Sequence, residues 1–496
     1  MSRLKLYTGR FETLVHFAPQ IEQRVKEGRQ DFLVLLPVNR AVRYYKKRLV
    51  DAAPGGILTD PLVFTFDDLL TRLYRSLPGA KKIISPEMFH LLVRQILEEH
   101  RDEFRFFSAG AEVTTGLVRK TADMIKELRR FGYNGIAFSK LAIPETDFDP
   151  DKFGDFQRLL QRLDERLGDS FIDEPFARHQ AAVNLSEELF RKNLPGVAYV
   201  YVSGYGLFTP AMFRFIEQVS RWAQVNVKLE YTEENPTLFR HTAQAAKRLT
   251  AMGAQVVKPR EPGFLSRFLF HGETFPNKKE DLRERIHIYG LVSQREEVAF
   301  IAAKIRDLHF KEGIPLHRMA VTFANMERYV PEVRRVFREF ELPVNLSTGF
   351  PLIQSPLVRH FLNTLRLAAS GFPLKDVFQL LQSPFVGAAD RINSDFLYRI
   401  LVKYRVRRLT PGWQQRLTAT PEYENGADQP DEANLARQVE LLAAYLEPYY
   451  QLPQEATPVG FSERLRRFWK DIGLFDWYRK DNRVLTERQK ENEFRA

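Results

Sequence analysis

The sequence contains no cysteine. This excludes disulfides, thiolate nucleophiles, Cys-ligated zinc and iron–sulfur clusters from its 496 residues, and it fits a reducing compartment. No apolar run reaches the ~18 residues that a membrane-spanning helix needs. The N-terminus, MSRLKLYTGRF, has neither the apolar stretch nor the small-residue cleavage site of a signal peptide. A cytoplasmic location is therefore expected. The ten histidines are scattered, and none forms H-x-x-x-H or H-E-x-x-H. G-x-S-x-G is also missing, so the sequence gives no support to a zinc or serine hydrolase, and no metal site is expected. Carboxylates such as Asp67, Asp68, Glu296 and Glu297 read most simply as charges at helix N-termini.

What is present is a large apolar fraction and a basic excess. Hydrophobic residues make up 44% of the chain, with 40 phenylalanines, enough for more than one core. The net charge of +11 is spread over many predicted helices and not gathered in a tail. Such a balance favours polyanionic partners through counterion release.

Strand and helix patterns alternate at the start. Arg3–Thr8 and Val63–Phe66 are short strand candidates, and the continuous apolar run Phe32–Pro37 (FLVLLP) suits a strand buried on both faces. Phe11–Gly28, Arg40–Val50 and Leu69–Ser76 have helical spacing, the last capped by Asp67 or Asp68. Strand–helix alternation implies a parallel sheet. From Ser85 the pattern is helical, opening with Ser-Pro-Glu as cap and first turn. Strands return with YVYVSG and VNVKLEY, separated by a helix from Pro210 to Trp222. The expected division is an α/β core over 1–84 plus 195–260, a helical insertion over 85–194, and a Pro/Gly-rich linker over 261–284. The first part of a second α/β core follows over 285–354, and a second helical region over 355–496. The second core's strands are expected in 285–291 (RIHIYGL), 319–323 (MAVTF) and 343–346.

The turn after the first strand is where a phosphate-binding loop, G-x-x-x-x-G-K-[ST], would lie. In that motif glycine lets backbone N–H groups approach phosphate, lysine reaches the outer phosphates and a hydroxyl holds magnesium. Here the sequence is Thr8-Gly-Arg-Phe-Glu-Thr-Leu-Val15. Gly9 is in place, but the second glycine, the lysine and the following hydroxyl are not; Arg10 and Thr13 are the remaining candidates. The segment YVYVSGYGLFTP raises the same question on a second strand, because Ser203, followed by Gly204, stands where a metal-binding acid would be expected. A neutral hydroxyl is a poor substitute for a carboxylate. Two independent defects in one site argue against ATP hydrolysis and leave no cofactor expected.

Basic clusters carry more information. Arg40, Arg43 and Lys47 share a helix with Tyr44 and Tyr45, a combination of cations and aromatics that suits single-stranded nucleic acid. Arg129 and Arg130 mark the helical insertion, Arg334 and Arg335 the second core, and Arg405, Arg407 and Arg408 a later helix end. Any one of these could be a solvated face, but their recurrence points to a nucleic-acid path.

The order of core, helical insertion, linker, second core and second insertion resembles superfamily 1 helicases of the UvrD/Rep type. In more detail the chain resembles the AddB-type subunit of ATP-dependent helicase–deoxyribonuclease complexes, with RecC-like inactivated helicases close behind. FLVLLPVNRAVRYYKKRL, VFTFDDLLTRLY and YVSGYGLFTPAMFRF carry the likeness. The last matches the family's D-G-[FY]-x-x-F-T at Gly204, Tyr205, Phe208 and Thr209, with Ser203 in place of the acid. The resemblance implies two RecA-like parallel-sheet cores, each with an inserted helical domain. It also implies an AddA-type motor partner, single-stranded or forked DNA as ligand, and a chain that guides or scans DNA without a motor. An active helicase with a non-standard nucleotide site is the alternative. The family's C-terminal nuclease domain, often tied to an iron–sulfur cluster, has no counterpart in this sequence, and a fragment of a longer protein is the expectation.

Overall fold

The computed structural model describes all residues except 1–2, 10–15, 108–111, 142–148, 232, 234–237, 258–285, 347–351, 384, 386–390, 418–430, 453–455 and 474–496. The chain divides into two compact units, Met1–Ile286 and His287–Ala496. The expected linker over 261–284 lies outside the described residues.

The first unit is built on a six-stranded sheet: β1 (Leu4–Tyr7), β2 (Phe32–Leu35), β3 (Val63–Phe64), β6 (Tyr199–Val202), β7 (Gln224–Lys228) and β8 (Gln255–Val257). Their order is β3-β2-β6-β7-β1-β8, and every pairing is parallel. Central strands of such a sheet are covered on both faces, which is why β2 reads FLVL and is buried at all four positions. α1 (Ala18–Lys26) and α2 (Asn39–Ala52) cover one face through Ile21, Val25, Tyr45 and Leu49. The other face is covered by α3 (Phe66–Arg75), and by four helices that follow later in the chain. Asp67 and Asp68 are not the cap of α3: Thr65 is, its hydroxyl oxygen accepting the Asp68 N–H at 3.1 Å.

Between β3 and β6 the chain leaves the sheet through the two-residue strand β4 (Lys82–Ile83) and returns through β5 (Phe171–Ile172), which pairs with it in parallel. The excursion contains α4 (Pro86–Glu99), α5 (Thr115–Arg130), α6 (Gly135–Ser139) and α7 (Pro150–Leu167). Ser85 caps α4 by accepting the Met88 N–H, with Pro86 in the first turn, as the Ser-Pro-Glu signal predicts. These helices enclose a separate core around Phe89, Ile96, Ile125, Phe156 and Leu163. The expected insertion over 85–194 is thus two things. α8 (Glu174–Val183) and α9 (Glu187–Asn193) pack on α3 and the sheet through Ala177, Ala181 and Phe190, together with α10 (Pro210–Val219) and α11 (Arg240–Ala251).

The second unit is helical. α12 (Gln294–Phe310) and α13 (Met326–Glu339) share a small core of Val298, Ala302, Val333, Val336 and Phe337. α14 (Pro356–Ala369), α15 (Leu374–Leu381), α16 (Ser394–Lys403), α17 (Glu432–Tyr450) and α18 (Pro458–Asp471) surround Leu381, Leu401, Trp413 and Leu446. The strands expected here are not formed: residues 286–291, 319–323 and 343–346 have no ladder partner among the described residues. Ile288 is 93% exposed, and Tyr289, Val321 and Val344 are also open. A short apolar run identifies an extended segment, but a strand needs a neighbour to complete its hydrogen bonds.

Candidate functional site

The two segments read as a damaged nucleotide site end next to one another in the sheet. β7 lies between β1 and β6, so the turns after Tyr7 and Val202 sit at the same carboxyl edge. Ligands of open parallel sheets bind at that edge.

The described residues at the end of β1 are hydrogen-bonded to the chain around β7. Gly9 has φ 109° and is buried. Its N–H donates to the Tyr231 carbonyl at 2.9 Å. The ammonium of Lys228, at the end of β7 and only 2% exposed, donates to the Thr8 carbonyl at 3.1 Å. The N-cap residue of α1, Phe17, is fully buried against Tyr7, His16 and Tyr201, with ring centroids 5.0–5.1 Å away. Arg10 and Thr13 lie outside the described residues.

The segment after β6 is equally committed. Ser203 is completely buried, and its N–H donates to the Leu35 carbonyl. Gly204 has φ 86°, and a Cβ there would lie 3.1 Å from the Pro37 ring. Only glycine combines that conformation with that approach. The Tyr205 hydroxyl donates to the Leu36 carbonyl at 2.6 Å and accepts the Phe66 N–H at 3.1 Å. Burial pushes its phenol well above the ordinary tyrosine range. Thr209 caps α10 and Pro210 occupies its first turn. Gly-Tyr…Thr-Pro therefore describes a brace tying β6 to the ends of β2 and β3. Two positions do not suit a magnesium–nucleotide: the buried residue after β6 is Ser203 and not a carboxylate, and no lysine follows Gly9 in a phosphate-loop position. Among the described residues no group of three or more His, Asp or Glu could hold a metal ion.

The basic residues differ in their surroundings. Arg40, Arg43, Tyr44 and Lys47 are all exposed on α2, which starts at the carboxyl end of β2; Tyr44 is 57% exposed. Tyr45 is not part of that face but sits in the core. Arg130 pairs with Glu127 at 3.0 Å and Arg335 with Glu332 at 2.5 Å, so each is a half-neutralised helix surface. Arg334 is half-buried, and Arg405 and Arg407 are exposed. Arg408 donates to the carbonyls of Ser370 and Gly371 and so closes the C-terminus of α14. Arg129 is a correction: it is fully buried between Asp164 and Asp173 and offers nothing to a phosphate on the surface. The structure places the α2 face and Arg130 in the first unit, and Arg334, Arg335, Arg405, Arg407 and Arg408 in the second. The sequence reading assigned Lys228 no role and matched Tyr205 only as a motif position, without its bracing hydrogen bonds. A lysine inside VNVKLEY was a visible signal for the first, while the partners of the second are distant in the chain.

Comparison with known proteins settles the ancestry of this arrangement. The family model described as "ADDB, N-terminal" matches residues 12–263, just over half of the 496-residue chain. The chain belongs to the AddB family. Its AddB-type relatives include proteins named as a subunit of an ATP-dependent helicase/deoxyribonuclease. The one from Alkaliphilus metalliredigens (strain QYMF) is 20% identical over 514 residues, covering 96% of this chain and 43% of that protein. That of Lysinibacillus sphaericus (strain C3-41) is 23% identical over 346 residues, covering 65% of this chain and 29% of its own. The Bacillus subtilis (strain 168) protein is 21% identical over 360 residues, covering 66% and 30%. The chain thus spans less than half the length of these AddB relatives. No described helix is long and apolar enough to cross a membrane.

Proposed function

We propose that this chain is a helicase-like, DNA-binding part of a helicase–nuclease complex that processes DNA ends, and that it carries no motor of its own. The observation that carries this reading is the engaged end of β1: Gly9 is hydrogen-bonded to Tyr231, and Lys228 to Thr8. The sheet order supports a helicase-type ancestry for the first unit, because one strand separates the two that would bear phosphate and metal groups. The relatives' names supply the complex and the idea of a partner subunit, which by the family resemblance is an AddA-type motor. The α2 face of Arg40, Arg43, Tyr44 and Lys47, with Arg130, Arg334, Arg335, Arg405 and Arg407, supports single-stranded or forked DNA as the ligand. The setting is the cytoplasm, where such DNA is handled.

Two titrations on one preparation test this. The chain is expected to bind single-stranded or forked DNA with an affinity that falls steeply with salt. It is also expected to bind no fluorescent ATP analogue and to release no phosphate with DNA present. DNA-stimulated turnover would overturn the reading in favour of an active helicase. Affinity for DNA that is absent, or indifferent to salt, would remove the DNA-binding role.

A further inference from the structure

Arg129 was expected on the surface, and its burial has a consequence for how the first unit moves. The α4–α7 bundle has its own core and is tied to the sheet by two connections. One is the neck, where β4 and β5 contribute two residues each. The other is the contact between the end of α5 and the start of α8, which belongs to the sheet's core. At that joint Arg129 Nη2 lies 2.5 Å from Asp164 of α7, and Nε lies 3.3 Å from Asp173, the N-cap of α8. The guanidinium also stands 4.9 Å from the Phe176 ring centroid. One turn on, Gly132 presses its backbone on His179: a Cβ there would fall 2.4 Å from the imidazole.

The joint is tightly packed but poorly satisfied. Among the described residues, Arg129 Nη1 and His179 Nδ1 are buried here with no hydrogen-bond partner, and Arg129 Nε and Asp173 Oδ2 meet only each other, as an ion pair at 3.3 Å outside hydrogen-bond geometry. Burial pushes the Asp173 carboxyl upward against the pull of Arg129. A buried ion pair whose remaining hydrogen bonds are unmade gains little over its desolvation cost. Flanking it are two cores with apolar packing. Folded proteins open locally in contiguous cooperative units, and a bundle with its own core is such a unit.

We propose that the α5–α8 joint is a releasable clasp, and that the α4–α7 bundle turns on the β4–β5 neck when it opens. The bundle carries the exposed cations Arg119 and Lys120, so opening reorients them relative to the α2 face. The proposal does not depend on the nucleotide reading.

Amide hydrogen exchange on the full chain tests it. In the wild type, the amides of β4, β5, the last turn of α5 and the first turn of α8 are expected to exchange together. Their exchange should be at least about tenfold faster than that of β2, β6 and the middle of α7. Asp173→Asn keeps a good N-cap but removes the charge, and should speed the joint by a further factor of at least about ten, with both cores unchanged. The double variant Arg129→Met/Asp173→Asn replaces the imperfect pair with neutral packing and should slow the joint below the wild-type rate. The clasp is overturned if wild-type joint amides exchange as slowly as β2 and β6, or if the double variant opens the joint as much as Asp173→Asn does.

Discussion

The ammonium of Lys228 donates to the Thr8 carbonyl at 3.1 Å, across two adjacent parallel strands. With Gly9 bonded to Tyr231, the polar groups that leave the end of β1 are engaged at both residues 8 and 9. Restoring an acid on the neighbouring strand should therefore not restore chemistry. Ser203→Asp, alone or with Lys228→Ala, is expected to leave DNA-stimulated phosphate release at background. Ser203 is completely buried, so the new carboxylate should also cost roughly 2–5 kcal/mol of stability. Urea unfolding followed by circular dichroism would report that loss.

The segment after β6 makes a second prediction, about stability and not activity. Tyr205→Phe removes one hydroxyl but strands two buried backbone groups, the Leu36 carbonyl and the Phe66 N–H. The expected loss is about 2–4 kcal/mol. Gly204→Ala should cost about 1–3 kcal/mol, because its methyl would meet Pro37 in a left-handed backbone conformation. Both variants should show lower urea midpoints with unchanged DNA affinity per folded molecule.

These residues mark where the sequence could be read and where it could not. FLVLLP announced a buried strand and Ser85-Pro86-Glu87 a helix start, because run length and capping chemistry are local. The brace of Tyr205 was hidden, since its partners lie 139 and 169 residues away. Arg129 stands in RRFG, a string that looks like surface, and only the arrival of Asp164 and Asp173 makes it a core residue. The opposite error affects RIHIYGL and MAVTF: their apolar character is local, but pairing depends on neighbours that no local pattern specifies. Lys228 was visible as a charge within a buried strand, but its partner, the Thr8 carbonyl, lies 220 residues away.

The second unit contains a pH-dependent element. His360 on α14 is 3% exposed, Nε2 has no hydrogen-bond partner among the described residues, and burial lowers its pKa to about 4 from the ordinary 6.5. Between these values the unfolded chain binds the proton and the folded chain does not. Its contribution is therefore intact above pH 6.5 and is lost as the pH falls towards 4, by at most about 3 kcal/mol. His360→Leu should remove that part of the acid sensitivity. The difference between variant and wild-type stability is expected to shift in favour of the variant by about 2–3 kcal/mol from pH 7 to pH 4.5, measured by urea unfolding at both values.

The exposed face of α2 gives the most direct test of DNA handling. Arg40, Arg43 and Lys47 supply positive charge, and Tyr44 presents a ring that is more than half exposed. Phosphate contacts and base stacking respond differently to salt, so the two can be separated. Replacing the three cations with alanine should flatten the dependence of log affinity on log salt by about 2 units for single-stranded DNA, since each phosphate contact contributes about 0.7. Tyr44→Ala should weaken binding by about 1–3 kcal/mol at every salt concentration and leave the slope as it is. Fluorescence anisotropy with a labelled oligonucleotide between about 50 and 200 mM salt resolves both effects. If the triple variant keeps the wild-type slope, DNA does not run over α2, and the exposed arginines of the second unit become the surface to map.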